Sequence, residues 1–142
     1  MYEQPVRQVM AGTELLTAPP QTTVAEAAQL MARRKTGAMV VVDGERLVGI
    51  FTERDAVFRV IAMGLDVQTT RVADVMTPSP VTIAPEKPFG VALVIMHRNG
   101  FRHLPVVEGE RPIGIVSARQ ALDPDMEDFV AEARRRAKFQ QE

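Results

Sequence analysis

The sequence has no cysteine and no tryptophan, and few residues of the kinds that carry catalysis. Without cysteine there can be no disulfide framework and no thiolate metal site. The histidines are His97 and His103 and the serines Ser79 and Ser117, and neither histidine is spaced to activate a serine. Two histidines six residues apart, one on an expected helix and one at an expected strand start, do not make a metal site. No glycine-rich phosphate loop of the ATPase type occurs. Aromatics are 5% of the chain, too few for a single-strand stacking platform. The formal net charge is −1, so no global field draws the protein to nucleic acid or to a membrane surface. The longest apolar run, Val91 to Met96, falls far short of a membrane span. "MYEQPVRQVM" has no cationic segment followed by an apolar core and does not read as a secretion signal. These absences set the expectation of a cytoplasmic protein that is not an enzyme and holds no metal.

What is present is a duplication. Shifted by 65 residues, Met31–Val57 falls on Met96–Leu122, pairing Val41 with Val106, Gly44 with Gly109, Gly49 with Gly114 and Arg54 with Arg119. Upstream, "VRQVM" (6–10) matches "VADVM" (72–76) after one gap. The period is too long for a solenoid unit and indicates a duplicated small domain. The expected divisions are 1–66, 67–122 and a C-terminal helix with tail at 123–142.

Each copy has the same expected elements. Thr23-Val24-Ala25-Glu26 has capping-box spacing, and Val24, Ala27, Ala28 and Met31 then form one helical stripe. Pro88 precedes the matching stripe of Phe89, Ala92, Leu93 and Met96. Two β-branched runs follow in each copy, joined by "DGER" and "EGER", where Asp43-Gly44 is a hairpin signal. A second helix is expected from Glu53 to Met63, stopped by Gly64. Its counterpart is cut short by Asp123-Pro124, which starts the C-terminal helix with an acidic first turn and basic last turns. The basic runs 33–35 and 134–136 suit solvated helix ends.

The copies differ at one chemically telling place. Thr52-Glu53-Arg54-Asp55 becomes Ser117-Ala118-Arg119-Gln120. Two readings stand. Both quartets satisfy a helix capping box, since Gln can replace an acid there. Alternatively, a strand that runs at once into a helix N-terminus suits a polar ligand, and a carboxylate can accept both hydroxyls of a ribose. Gln offers one acceptor oxygen and no charge.

"TGAMVVVDGERLVGIFTERD" (36–55) and "FRHLPVVEGERPIGIVSARQ" (101–120), each preceded by an x-Val-Met turn and a proline-rich approach, resemble the CBS domain in its tandem form. The resemblance covers residues 5–122. It implies an α/β (α+β) fold: two β-α-β-β-α units in pseudo-two-fold packing, with a pair of clefts between their sheets and here an added C-terminal helix. It implies an adenine nucleotide (AMP, ADP, ATP or an adenosyl compound) as ligand rather than a resident cofactor.

Transferred position by position, the resemblance places ribose on Thr52 and Asp55, a motif from which the second copy departs at Gln120, beside Ser117. It places Thr36, Gly37, Ala38 and Met39 along the base in the first copy, with Leu104 among their equivalents in the second. Arg102 and His103 there, with Arg54 and Arg119, become phosphate candidates, Arg for its planar fork. Thr17 and Thr82, near the proline-rich approaches, complete the set. The expectation is of unequal clefts: the first copy the ribose site, the second empty, weak or specialised for phosphate through Arg102 and His103.

Two functions remain. One is a regulatory module that senses an adenine nucleotide and acts through an effector protein. The other is an adaptor with vestigial clefts. Either one is expected to be a homodimer. The helix containing Val91, Val94 and Ile95 is apolar nearly all round, and a chain of 142 residues has little interior in which to hide it.

Overall fold

The computed structural model describes residues 1–122 together with Arg135 and Arg136. The expected C-terminal helix otherwise lies outside the described residues, and Arg135 and Arg136 are helical and exposed.

The chain runs α1 (Val6–Met10), β1 (Thr17–Ala18), α2 (Val24–Arg34), β2 (Ala38–Asp43), β3 (Arg46–Thr52) and α3 (Glu53–Asp55), which continues as a π-helical segment, Ala56–Ile61. Then come α4 (Val72–Val75), β4 (Thr77–Pro78), α5 (Phe89–Asn99), β5 (His103–Glu108), β6 (Arg111–Ser117) and a 3₁₀ turn, Ala118–Ala121.

The hairpins repeat in detail. β2 pairs antiparallel with β3, and β5 with β6, each with a register shift at the same place, Val41/Val42 and Val106/Val107. Gly44 and Gly109 turn them with φ of 64° and 63°, a conformation that an L side chain strains. β1 adds in parallel to β2, as Ile83 adds to β5 by a bridge to Val106. β4 extends the first sheet on the far side of β3.

Helix ends follow their residues. The Thr23 hydroxyl accepts the Glu26 N–H at 3.2 Å. α5 stops on Gly100 in the left-handed conformation, and α2 stops on Lys35 in the same conformation. Ala28, expected in the buried stripe of α2, is exposed; Val24, Ala27 and Met31 carry that face. The helix expected from Glu53 to Met63 is helical only to Ile61 and mostly π-wound, with Ala62 N–H reaching the Val57 carbonyl.

The two units exchange their opening helices. Val6, Val9 and Met10 of α1 pack with Ile83, Phe89, Met96 and Val116, the core of the second repeat. Val72, Val75 and Met76 pack with Val24, Met39 and Phe51, the core of the first. Backbone bonds fix the exchange. The first N–H groups of α1 have no partner inside the helix, and those of Val6 and Arg7 reach the carbonyls of Lys87 and Pro85. Those of Val72 and Ala73 reach Thr22 and Pro20 in the same way.

Two glycines receive the exchanged helices. A Cβ on Gly49 would overlap the Met76 sulfur, and one on Gly114 would overlap the Met10 sulfur. This explains why x-Val-Met and Gly-Ile recur together in both copies. The sheets meet through Ala38, Val40, Ile50 and Ile115, and the Leu47 N–H bonds the Glu110 carbonyl at 2.9 Å.

Candidate functional site

The junction of β3 with α3 is the chemical centre of the larger cleft. β3 ends at Thr52, and the chain turns at once into helix. Asp55 is only 7% exposed. Its Oδ2 accepts the Thr52 N–H at 2.9 Å and the Thr52 hydroxyl at 3.2 Å, and the Asp55 N–H donates to that hydroxyl at 3.3 Å. The capping box is therefore real. It uses one carboxylate oxygen. The other, Oδ1, faces the Arg59 guanidinium at 3.6 Å. A carboxylate oxygen has further lone-pair capacity, so the cap and a ribose are compatible on one side chain.

The cleft has a volume of about 750 Å³, within the range of small-molecule sites. One wall is Ile50, Thr52, Glu53, Arg54, Asp55, Phe58 and Arg59; Thr77, Ser79, Pro80 and Val81 form the floor. The facing wall comes from the second repeat: Asn99 to His103, with Pro105. Arg54 stands over the Phe58 ring at 5.5 Å, a cation–π contact that orients its guanidinium. Ser79, between two prolines, holds a φ of 45°, unusual for a residue with a Cβ, and its N–H bonds the Val48 carbonyl at 3.1 Å. His103 starts β5 opposite Ser117. Burial lowers its imidazole below the ordinary value of 6.5; Glu53 opposes that shift and Arg102 adds to it.

The cleft is thus assembled across the repeats. Arg102 and His103, expected to specialise a second cleft, face the Asp55 wall of the first. Thr36 and Gly37, expected beside Asp55, line a smaller hollow of about 440 Å³ with Lys35, Glu53 and Arg119. The Glu53 carboxylate fills the space where a Cβ on Gly37 would stand, at 2.9 Å. Ala38, Met39 and Leu104 have side chains buried in the cores and line neither space. Thr17 is exposed on β1 and Thr82 half-buried, and both lie away from the two spaces.

Ser117 and Gln120 form their own capping box outside both spaces. Gln120 Oε1 accepts the Ser117 N–H at 2.8 Å, while its Nε2 donates to the Val9 carbonyl of α1 at 2.9 Å. Among the described residues no group of His, Cys, Asp or Glu could hold a metal ion, and no helix is long and apolar enough to cross a membrane.

The CBS domain model matches residues 6–62 and 72–124, one match for each repeat. The chain belongs to the CBS-domain family. It is a tandem CBS pair. The Meiotically up-regulated gene 70 protein of Schizosaccharomyces pombe is 36% identical over 85% of this chain and 20% of its own length. The chain spans about a fifth of the first curated relatives it matches. A putative signal-transduction protein with CBS domains from Burkholderia ambifaria superposes with a TM-score of 0.80 at 30% identity, covering 88% of this chain and 96% of that one. A CBS domain protein from Pyrobaculum aerophilum, complexed with AMP, superposes at 0.75 and 25% identity over 82% of this chain and 89% of that one.

Sequence reasoning missed Phe58, Arg59, Asn99 and the 77–81 floor. The signal for the floor was present in Thr-Pro-Ser-Pro, which reads as an extended segment but not as a cleft wall. Arg59 carried none, because a lone arginine on a helix looks solvated.

Proposed function

We propose that this CBS pair is a non-catalytic regulatory module that binds an adenine nucleotide in the cleft between Asp55 and His103. One observation carries the reading. A mostly buried carboxylate with one uncapped oxygen shares a cleft with Arg54, Arg59 and Arg102. Asp55 accepts ribose hydroxyls, Arg54 and Arg102 take phosphate, and Phe101, Val81 and Pro80 give the base an apolar surround. The AMP carried by the Pyrobaculum relative supports the ligand class. The smaller hollow is the weaker site: Gln120 stands outside it, and its carboxylate, Glu53, is shared with the larger cleft.

We place the module in the cytoplasm, divided at 66/67 and 122/123, as a homodimer signalling to an effector protein. The adaptor reading draws support from the exposed apolar strip Val57, Phe58, Ile61 and Met63. A thermal-shift panel of AMP, ADP, ATP and S-adenosylmethionine separates the two. A bound nucleotide at 100 times its dissociation constant adds about 2.7 kcal/mol of apparent stability. No shift with any of them rejects the regulatory reading.

A further inference from the structure

The geometry points to Arg59 as a positioning residue of the nucleotide cleft: it takes over the tethering of the exchanged helix, and so leaves the Asp55 carboxylate for ribose. This inference rests on the nucleotide reading above.

The repeats solve one problem in two ways. Each exchanged helix ends against the turn that follows the last strand of its host unit, and its terminal carbonyls need donors there. In the second repeat Gln120 supplies one. Its Oε1 closes the capping box on Ser117 while its Nε2 bonds the Val9 carbonyl, which also accepts the Gly12 N–H at 3.3 Å. In the first repeat the matching carbonyls belong to Val75 and Met76. They are reached by Arg59 Nη1, at 3.4 Å and 3.1 Å.

An aspartate could not do what Gln120 does, because an ionised carboxylate has no proton to donate. Asp55 is therefore tolerated at its position because Arg59 stands one turn further on. The residue of the second repeat at the Arg59 position is Pro124, whose side chain carries no donor. The exchange is reciprocal: arginine with aspartate in one repeat, proline with glutamine in the other.

Arg59 also acts on the carboxylate directly. Its Nε lies 3.6 Å from Asp55 Oδ1, the oxygen that the cap does not use. One guanidinium thus holds both the end of α4 and the orientation of the carboxylate. The segment that leaves α4 is Thr77–Val81, the floor of the same cleft.

The test compares the wild-type protein, Arg59→Ala, Asp55→Gln and the Arg59→Ala/Asp55→Gln double variant. Without ligand, Arg59→Ala is expected to lower Tm by roughly 3 °C. Adding Asp55→Gln should recover most of that loss, since the new amide can donate to the Val75 or Met76 carbonyl as Gln120 does to Val9. A double variant no more stable than Arg59→Ala overturns the tether.

The second arm measures AMP against 2′-deoxy-AMP. The wild-type protein is expected to prefer AMP about tenfold, the loss of one charge-assisted hydrogen bond. Arg59→Ala should cut that preference to about twofold or less. A purely structural arginine would weaken both ligands equally, so an unchanged preference overturns the positioning role. A wild-type protein that binds neither nucleotide rejects the nucleotide reading itself, a result distinct from either of these.

Discussion

Asp55 and Gln120 occupy matched positions, and the difference between them is one of donors and acceptors. Asp55 only accepts, through Oδ2 to the cap and Oδ1 to Arg59. Gln120 accepts and donates, through Oε1 and Nε2. Gln120→Asp should therefore cost stability rather than create a second ribose site. The Val9 carbonyl keeps the Gly12 N–H but loses its amide partner, a net cost of about 0.5–1.5 kcal/mol read as a lower midpoint in urea. An unchanged midpoint would mean that the Nε2 bond contributes nothing. His103 gives a second residue-scale expectation. Burial lowers its folded pKa below the ordinary 6.5, so between the two values the unfolded chain holds more protons. Stability then falls as pH drops through about 6.5 towards the folded value. Thermal scans at pH 7.5 and 5.5 should show a larger loss for the wild-type protein than for His103→Gln, and equal losses would count against the burial.

At the scale of elements, the exchanged helices are the main organising feature, and they rest on Gly49 and Gly114. The Met76 side chain covers the first, and the Met10 side chain the second. For Gly114 rotating Met10 could move its sulfur out of the overlap, but its Cβ would still lie 3.1 Å from a new methyl and the backbone would have to give by a few tenths of an ångström. Gly114→Ala is expected to cost about 1–3 kcal/mol by overpacking. A double-mutant cycle with Met10→Ala checks it, since the two changes should be less than additive. The hairpins, the stripes of α2 and α5 and the caps were legible in the sequence because each depends on neighbours a few residues away. The exchange was not. The apolar residues of "VRQVM" and "VADVM" say that a helix buries one face, but both cores are lined by Val, Met and Phe and either would accept it. The cross-repeat cleft follows from how the sheets pack, so Arg102 and His103 were recognised as cleft residues but grouped with the wrong wall. Asp55 was found because its motif is local. Arg59 was not, because its partners lie 16 and 17 residues away in a helix whose host could not be foreseen.

For the whole molecule, apolar side chains on two elements are exposed among the described residues. On α5, Val91 and Val94 are 41% and 48% exposed. On the π-helical segment and beyond it, Val57, Phe58, Ile61 and Met63 are 48–69% exposed. Paired surfaces of this kind fit a two-fold assembly. Sedimentation at micromolar concentration should give twice 15.7 kDa, and Val94→Glu should restore the single-chain mass. A wild-type protein that sediments as one chain contradicts the dimer.

One cleft, built from both repeats around Asp55, is expected to bind the nucleotide. Calorimetric titration of AMP into the wild-type protein and into Asp55→Ala checks this. One principal site per chain is expected. Affinity should fall roughly 10- to 150-fold in the variant, the loss of charge-assisted hydrogen bonds worth about 1.5–3 kcal/mol. Two equal sites per chain, or the same affinity in a folded Asp55→Ala protein, would contradict it.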